Sequence, residues 1–291
     1  MIEQLLEPLG FAFFQRALAA SVLAGLVCAV VGSYVVLKGM AFIGDAIAHA
    51  AFPGVVAAFI FGGPYVLGGG IAAFATAISI GWVSRRARLR VDTVIGVLFA
   101  GTFAFGVLLF SSIQGFVGDL MSFLLGNVLA IGGDELIALL LLGAIVLGIV
   151  AALWKELLYS TFDPQGAAAS GLRVVALEYL FLGLVALTIV VSIQAVGIIL
   201  VVAMLVTPAA TAQMLTVRFS RLMAVAALIG AATAVVGLYV SYWFDVASGA
   251  TIVLTQSLVF ALALLFGPRS GLLRRDGLRG ELSTDGGPLG G

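Results

Sequence analysis

In the stretch GDAIAHAAFPG, Asp45 and the chain's single histidine, His49, stand four residues apart, a spacing that puts both side chains on one face of a helix. A carboxylate oxygen and an imidazole nitrogen on one face can ligate a divalent cation. The mixture suits manganese, ferrous iron or zinc better than the soft cuprous ion. Pro53 adds to the pattern. It has no N–H, so it leaves the His49 carbonyl without its helical donor, kinks the helix there and frees one more oxygen. Two side chains make an incomplete site, and the same pair could instead bond only to itself or cap the start of its helix. Cost favours a pathway, because an ionisable side chain inside a membrane helix is unfavourable by several kcal/mol unless protein or water surrounds it.

Two other stretches carry chemistry-bearing residues. In VGIILVVAMLVTPAATAQMLT, Pro208 interrupts an apolar run and removes the donor for the Met204 carbonyl, which suits a kinked, small-residue helix lining a pore. Met204, Thr207 and Gln213 lie on the same run, but a thioether is a poor partner for hard cations and a lone Gln commonly bonds a neighbouring helix. None of the three is assigned as a ligand. In KELLYSTFDPQGAAASGLRV, Asp163 and Pro164 are suited to start a short helix through Ala169, stopped by Gly171. Its small alanines would make a compact knob, able to dock in a partner's cleft or to serve as an ordinary connector.

The elements that must position these residues are transmembrane helices. Hydrophobic residues make up 63% of the 291-residue chain and charged residues 10%, with a mean hydropathy of +1.25, far from a soluble domain. Apolar runs long enough to cross a bilayer lie near 14–37, 44–61, 65–84, 91–111, 134–153, 174–192, 196–217, 222–244 and 249–266. The expected fold is thus an all-α polytopic bundle of about nine, or eight, helices. With the amino terminus outside, the loops and carboxy-terminal tail facing the cytoplasm hold every Lys and Arg except Arg16, the asymmetry of cytoplasmic segments. The carboxy terminus then lies on the cytoplasmic side.

Residues 112–133 are too short and too Gly-broken to span and are expected to be non-spanning, as a short helix dipping into the outer face. The Gly- and charge-rich residues 267–291 are expected to form a flexible cytoplasmic tail following a transmembrane domain at 1–266. Glu3 and Glu7 replace the basic n-region of a cleavable leader, so the first helix is expected to remain. Cys28 alone builds neither a disulfide framework nor a thiolate cluster. Zero net charge argues against a nucleic-acid partner. No G-x-x-x-x-G-K-S/T loop is present, so energy must come from a partner or an ion gradient.

Together, VGSYVVLKGMAFIGDAIAHAAFPGVVAAF, FDPQGAAASGL and VGIILVVAMLVTPAATAQ resemble the zinc, manganese and iron permease family of ABC transporters over residues 16–266. The resemblance implies a non-enzymatic permease for a divalent metal ion, with no permanently bound cofactor. It implies that Asp45 and His49 hold the ion, and that Phe162 to Gly171, including Asp163 and Pro164, seats against an ATPase. It further implies a second copy of the chain, cytoplasmic ATPase subunits and an extracytoplasmic metal-binding protein. Where the family often has Glu after Asp-Pro, this chain has Gln165, with one less negative charge at that contact. The rivals are a proton- or sodium-coupled metal carrier and an intramembrane metalloprotease. The latter needs more ligands and a general base than one His and one membrane Asp supply.

Overall fold

The computed structural model describes residues 7–113 and 128–267. The helices are α1 (Ala12–Leu37), α2 (Ile43–Phe61), α3 (Tyr65–Ala87), α4 (Val91–Ser111), α5 (Gly133–Ala152), α6 (Trp154–Phe162), α7 (Pro164–Ala169), α8 (Val174–Val196), α9 (Ile198–Leu215), α10 (Phe219–Phe244) and α11 (Ser248–Phe266). Among the described residues, nine of these are long and apolar enough to cross a bilayer, all except α6 and α7. Each coincides with an expected span to within a few residues. Most of the non-spanning segment expected at 112–133, and all but the first residue of the tail expected at 267–291, lie outside the described residues.

Inside hydrocarbon a polar group must find its partner within the protein. Buried hydroxyls do so locally: Ser21 donates to the Ala17 carbonyl, Ser33 to Ala29 and Thr188 to Leu184, each at 2.8 Å. Such bonds one turn back let Ser and Thr sit in a helix that has no water beside it.

α1 is the hub. Its side chains are buried along most of its length, and it packs against α5, α8, α9 and α10. A second group joins α2 to α3 and α4, while α11 closes against α9 and α10. Glycine sets the separations. A Cβ on Gly25 would stand 2.9 Å from the Gly230 carbonyl oxygen of α10, and one on Gly32 would overlap the Leu205 carbonyl of α9. Backbones in direct contact gain dispersion energy that lipid tails do not match.

One end of the bundle collects the positive charge. Arg85 at the end of α3 is paired with Glu178 of α8 at 2.6 Å, and the Lys38 ammonium lies 5.5 Å from the centre of the Phe181 ring. Trp154 of α6 stacks on Phe219 of α10, with centroids 5.2 Å apart. These contacts bring the ends of α1 and α3 and the starts of α6, α8 and α10 to one level. Among the described residues, every Lys and Arg except Arg16 belongs to this basic end.

Gly32→Val should force α1 and α9 apart and lower stability by about 3 kcal/mol, the upper part of the overpacking range. Gly96→Ala, where a Cβ would meet nothing within 4 Å, should leave it nearly unchanged. Thermal unfolding in detergent compares the two.

Candidate metal site and coupling segment

Asp45 falls in the first turn of α2 and His49 one turn later. Nε2 of His49 lies 3.3 Å from Oδ1 of Asp45, and the two side chains are 31% and 40% exposed. The pair is therefore reachable and not sealed in the core. Two donors each about 2.1 Å from a cation at a tetrahedral angle stand about 3.4 Å apart, so the observed spacing accommodates an ion between them with little movement. Among the described residues no group of three His, Cys, Asp or Glu side chains is assembled, so the described side chains offer the ion an incomplete ligand set.

Phenylalanines of α4 hold the imidazole from the side. The rings of Phe99 and Phe103 each lie 5.4 Å from the His49 ring, edge to face, and Phe103 lies 6.0 Å from Phe52. α4 comes this close because of Gly106: a Cβ there would stand 2.6 Å from Cδ1 of Phe52 and 3.0 Å from Cδ of Pro53. Pro53, buried within α2, thus meets a notch on α4. On the other side, a Cβ on Gly44 would lie 2.8 Å from Cδ2 of Leu205, so the turn of α9 before Pro208 abuts the residue preceding Asp45. Pro208 is itself buried within α9, Met204 is fully buried in the core, and Gln213 is exposed.

At the basic end the second motif takes the form its sequence predicts. The Gly166 N–H donates to Oδ1 of Asp163 at 2.9 Å, Pro164 opens α7, and Gly171 has φ +88°, a left-handed conformation that L side chains rarely adopt. Ala167 is buried beneath the knob, while Asp163, Pro164, Gln165, Ala168 and Ala169 are exposed. Phe162 is 63% exposed, with its ring edge-on to Phe219 at 6.3 Å.

Two features escape the sequence reading. One is the phenylalanine wall around His49; the i, i+4 spacing of Phe99 and Phe103 followed by Gly106 was its available signal. The other is an aromatic cluster under the knob. Tyr34 of α1 lies edge-on to Trp154 and Phe219 and at a tilt to Phe181, with centroids 4.8 to 6.3 Å apart. The cluster joins α6 to α1, α8 and α10. Burial beside it pushes the Lys38 ammonium below its ordinary value, opposed by the Glu178 carboxylate.

Nine membrane-length helices among the described residues, an exposed capped knob at the basic end and an acid–imidazole pair in a proline-bearing helix define a polytopic permease. Residues 10–267 match the model of the ABC 3 transport family, and the chain belongs to that family. It is 45% identical over 269 residues to the manganese transport system membrane protein MntC of Halalkalibacterium halodurans, covering 92% of each chain. It is 41% identical over 260 residues to the chelated iron transport system membrane protein YfeD of Yersinia pestis, covering 89% of this chain and 87% of the relative. Among solved structures, PsaBC from Streptococcus pneumoniae in complex with Fab superposes with a TM-score of 0.82 at 34% identity, covering 95% of this chain and all of that one.

Asp163→Ala removes the cap of α7 and should cost that helix about 1 kcal/mol. Hydrogen exchange over residues 164–169 should accelerate about fivefold, with the spans unaffected.

Proposed function

We propose that this chain is the membrane-spanning subunit of an ATP-driven importer for a divalent metal ion, manganese or ferrous iron in the first instance. The observation that carries the proposal is the Asp45–His49 pair, 3.3 Å apart and partly exposed on α2. Its donors suit those ions, and the manganese and iron names of the relatives support the same cargo. Zinc fits the donor set as well. Membership of the ABC 3 transport family favours a partner ATPase over a proton or sodium gradient.

Two copies of the chain enclose the path, and the second copy adds to the ligand set that the described side chains of one chain leave incomplete. The basic end faces the cytoplasm and the amino terminus lies outside, a reading supported by the one-sided distribution of Lys and Arg. Phe162 to Gly171 seats in the ATPase, and an extracytoplasmic binding protein delivers the ion to the opposite face. Movement of the knob reaches α1, α8 and α10 through Tyr34, Trp154, Phe181 and Phe219. The helices then rock so that the pair faces alternate sides, and this chain makes and breaks no covalent bond.

In proteoliposomes holding the permease, its ATPase and the binding protein, uptake of manganese should require ATP. Asp45→Ala and His49→Ala should each lower it at least about tenfold, the lower end of what metal sites lose when only a ligand's outer partner is removed, with assembly on size exclusion unchanged. Normal uptake by both variants would sink the site. An Asp163→Lys variant should instead weaken ATPase association, measured by co-purification.

A further inference from the structure

A groove at the basic end, sharing no lining residue with the Asp45–His49 pair, has the make-up of a lipid site. Its volume is about 380 Å³, and it is lined by Val30 of α1, Leu147, Val150 and Ala151 of α5, Trp154 of α6 and Met223 of α10. The lining is apolar, and most of these side chains are only partly buried, so the groove opens on the outer surface of the bundle. Leu147, Val150, Ala151 and Trp154 follow one another at helical spacing, a track about 10 Å long at 1.5 Å per residue. That length and chemistry suit the upper part of an acyl chain.

The rim supplies the other half. Trp154 stacks on Phe219, and that contact brings Lys155, directly after Trp154, to the same rim as Arg218, directly before Phe219, and Arg221, two residues beyond it. All three cations are exposed and have no acidic partner among the described residues. Glu156 is the acidic residue closest to them in sequence, so the rim keeps a net positive charge. Cations at a bilayer surface above an apolar groove recognise a phosphate head group. A second copy placed on this face by a two-fold axis would bring the same unpaired cations to the same rim, because such an interface pairs a patch with itself.

We infer that the groove between α1, α5 and α10 binds one anionic phospholipid, with its chain along Leu147 to Trp154 and its phosphate at Lys155, Arg218 and Arg221. Native mass spectrometry of the full chain, purified from membranes containing phosphatidylglycerol and phosphatidylethanolamine, tests this without reading transport. Failure of the importer reading therefore leaves the result intact. Phosphatidylglycerol should survive activation that strips phosphatidylethanolamine. Lys155→Gln and Arg221→Gln should each reduce the retained phosphatidylglycerol about fivefold, the effect of one cation near the surface. Ala151→Trp, which fills the groove without touching the charges, should displace it. Equal retention of both lipids, or retention unchanged in all three variants, overturns the inference, as does disulfide dimerisation of an Ala151→Cys variant through this face.

Discussion

Hydrocarbon neither hydrogen-bonds a stray polar group nor drives one apolar helix against another. What remains to hold a bundle together is close contact, and here that contact is made by backbones at Gly25, Gly32, Gly54 and Gly68. The central position of α1 follows from it. With two glycines of α1 lying against the main chains of α10 and α9, the adjoining side chains interlock and the core of the bundle forms around Val31, Tyr34 and Val35. α2 is then set by its own glycine contact with α3 and by Gly106 of α4, and these fix where Asp45 and His49 stand.

The pair itself is economical chemistry. One carboxylate and one imidazole, a single turn apart, are spaced as two donors to one ion, and the phenylalanines beside His49 restrict the ring without offering a competing donor. Their apolar edges also exclude water from one side of the imidazole, which strengthens any charge interaction made on the other. At the basic end, the capped α7 rests on an aromatic cluster. Aromatic rings transmit displacement well, since close-packed interiors are stiff and a shift on one side of a ring is felt on the other.

Much of this was legible from residue types alone. The nine spans follow from apolar run length, the basic end from the placement of Lys and Arg, and α7 from Asp163, Pro164 and Gly171, because each depends on local chemistry. The pairing of helices was not legible. A membrane helix is apolar on every side, so periodicity does not mark which face meets which neighbour, and nothing local says that Gly106 seats on Pro53 or that Leu205 abuts Gly44. The aromatic cluster was hidden for the same reason, since Tyr34, Trp154, Phe181 and Phe219 come from four separate helices. His49 was visible as the single histidine, but its phenylalanine wall required the third dimension.

The glycine contacts also divide the bundle mechanically. Where one backbone rests on another, as between α1 and α9 or α1 and α10, no rotamer can change to absorb a sliding motion, so these helices move as one block. Where side chains meet side chains, as between His49 of α2 and Phe99 and Phe103 of α4, rings can turn and the joint can shear. The compliance of the molecule is thus concentrated beside the acid–imidazole pair, where α2 leans on a stiff block of α1, α9 and α10 through the contact of Gly44 with Leu205.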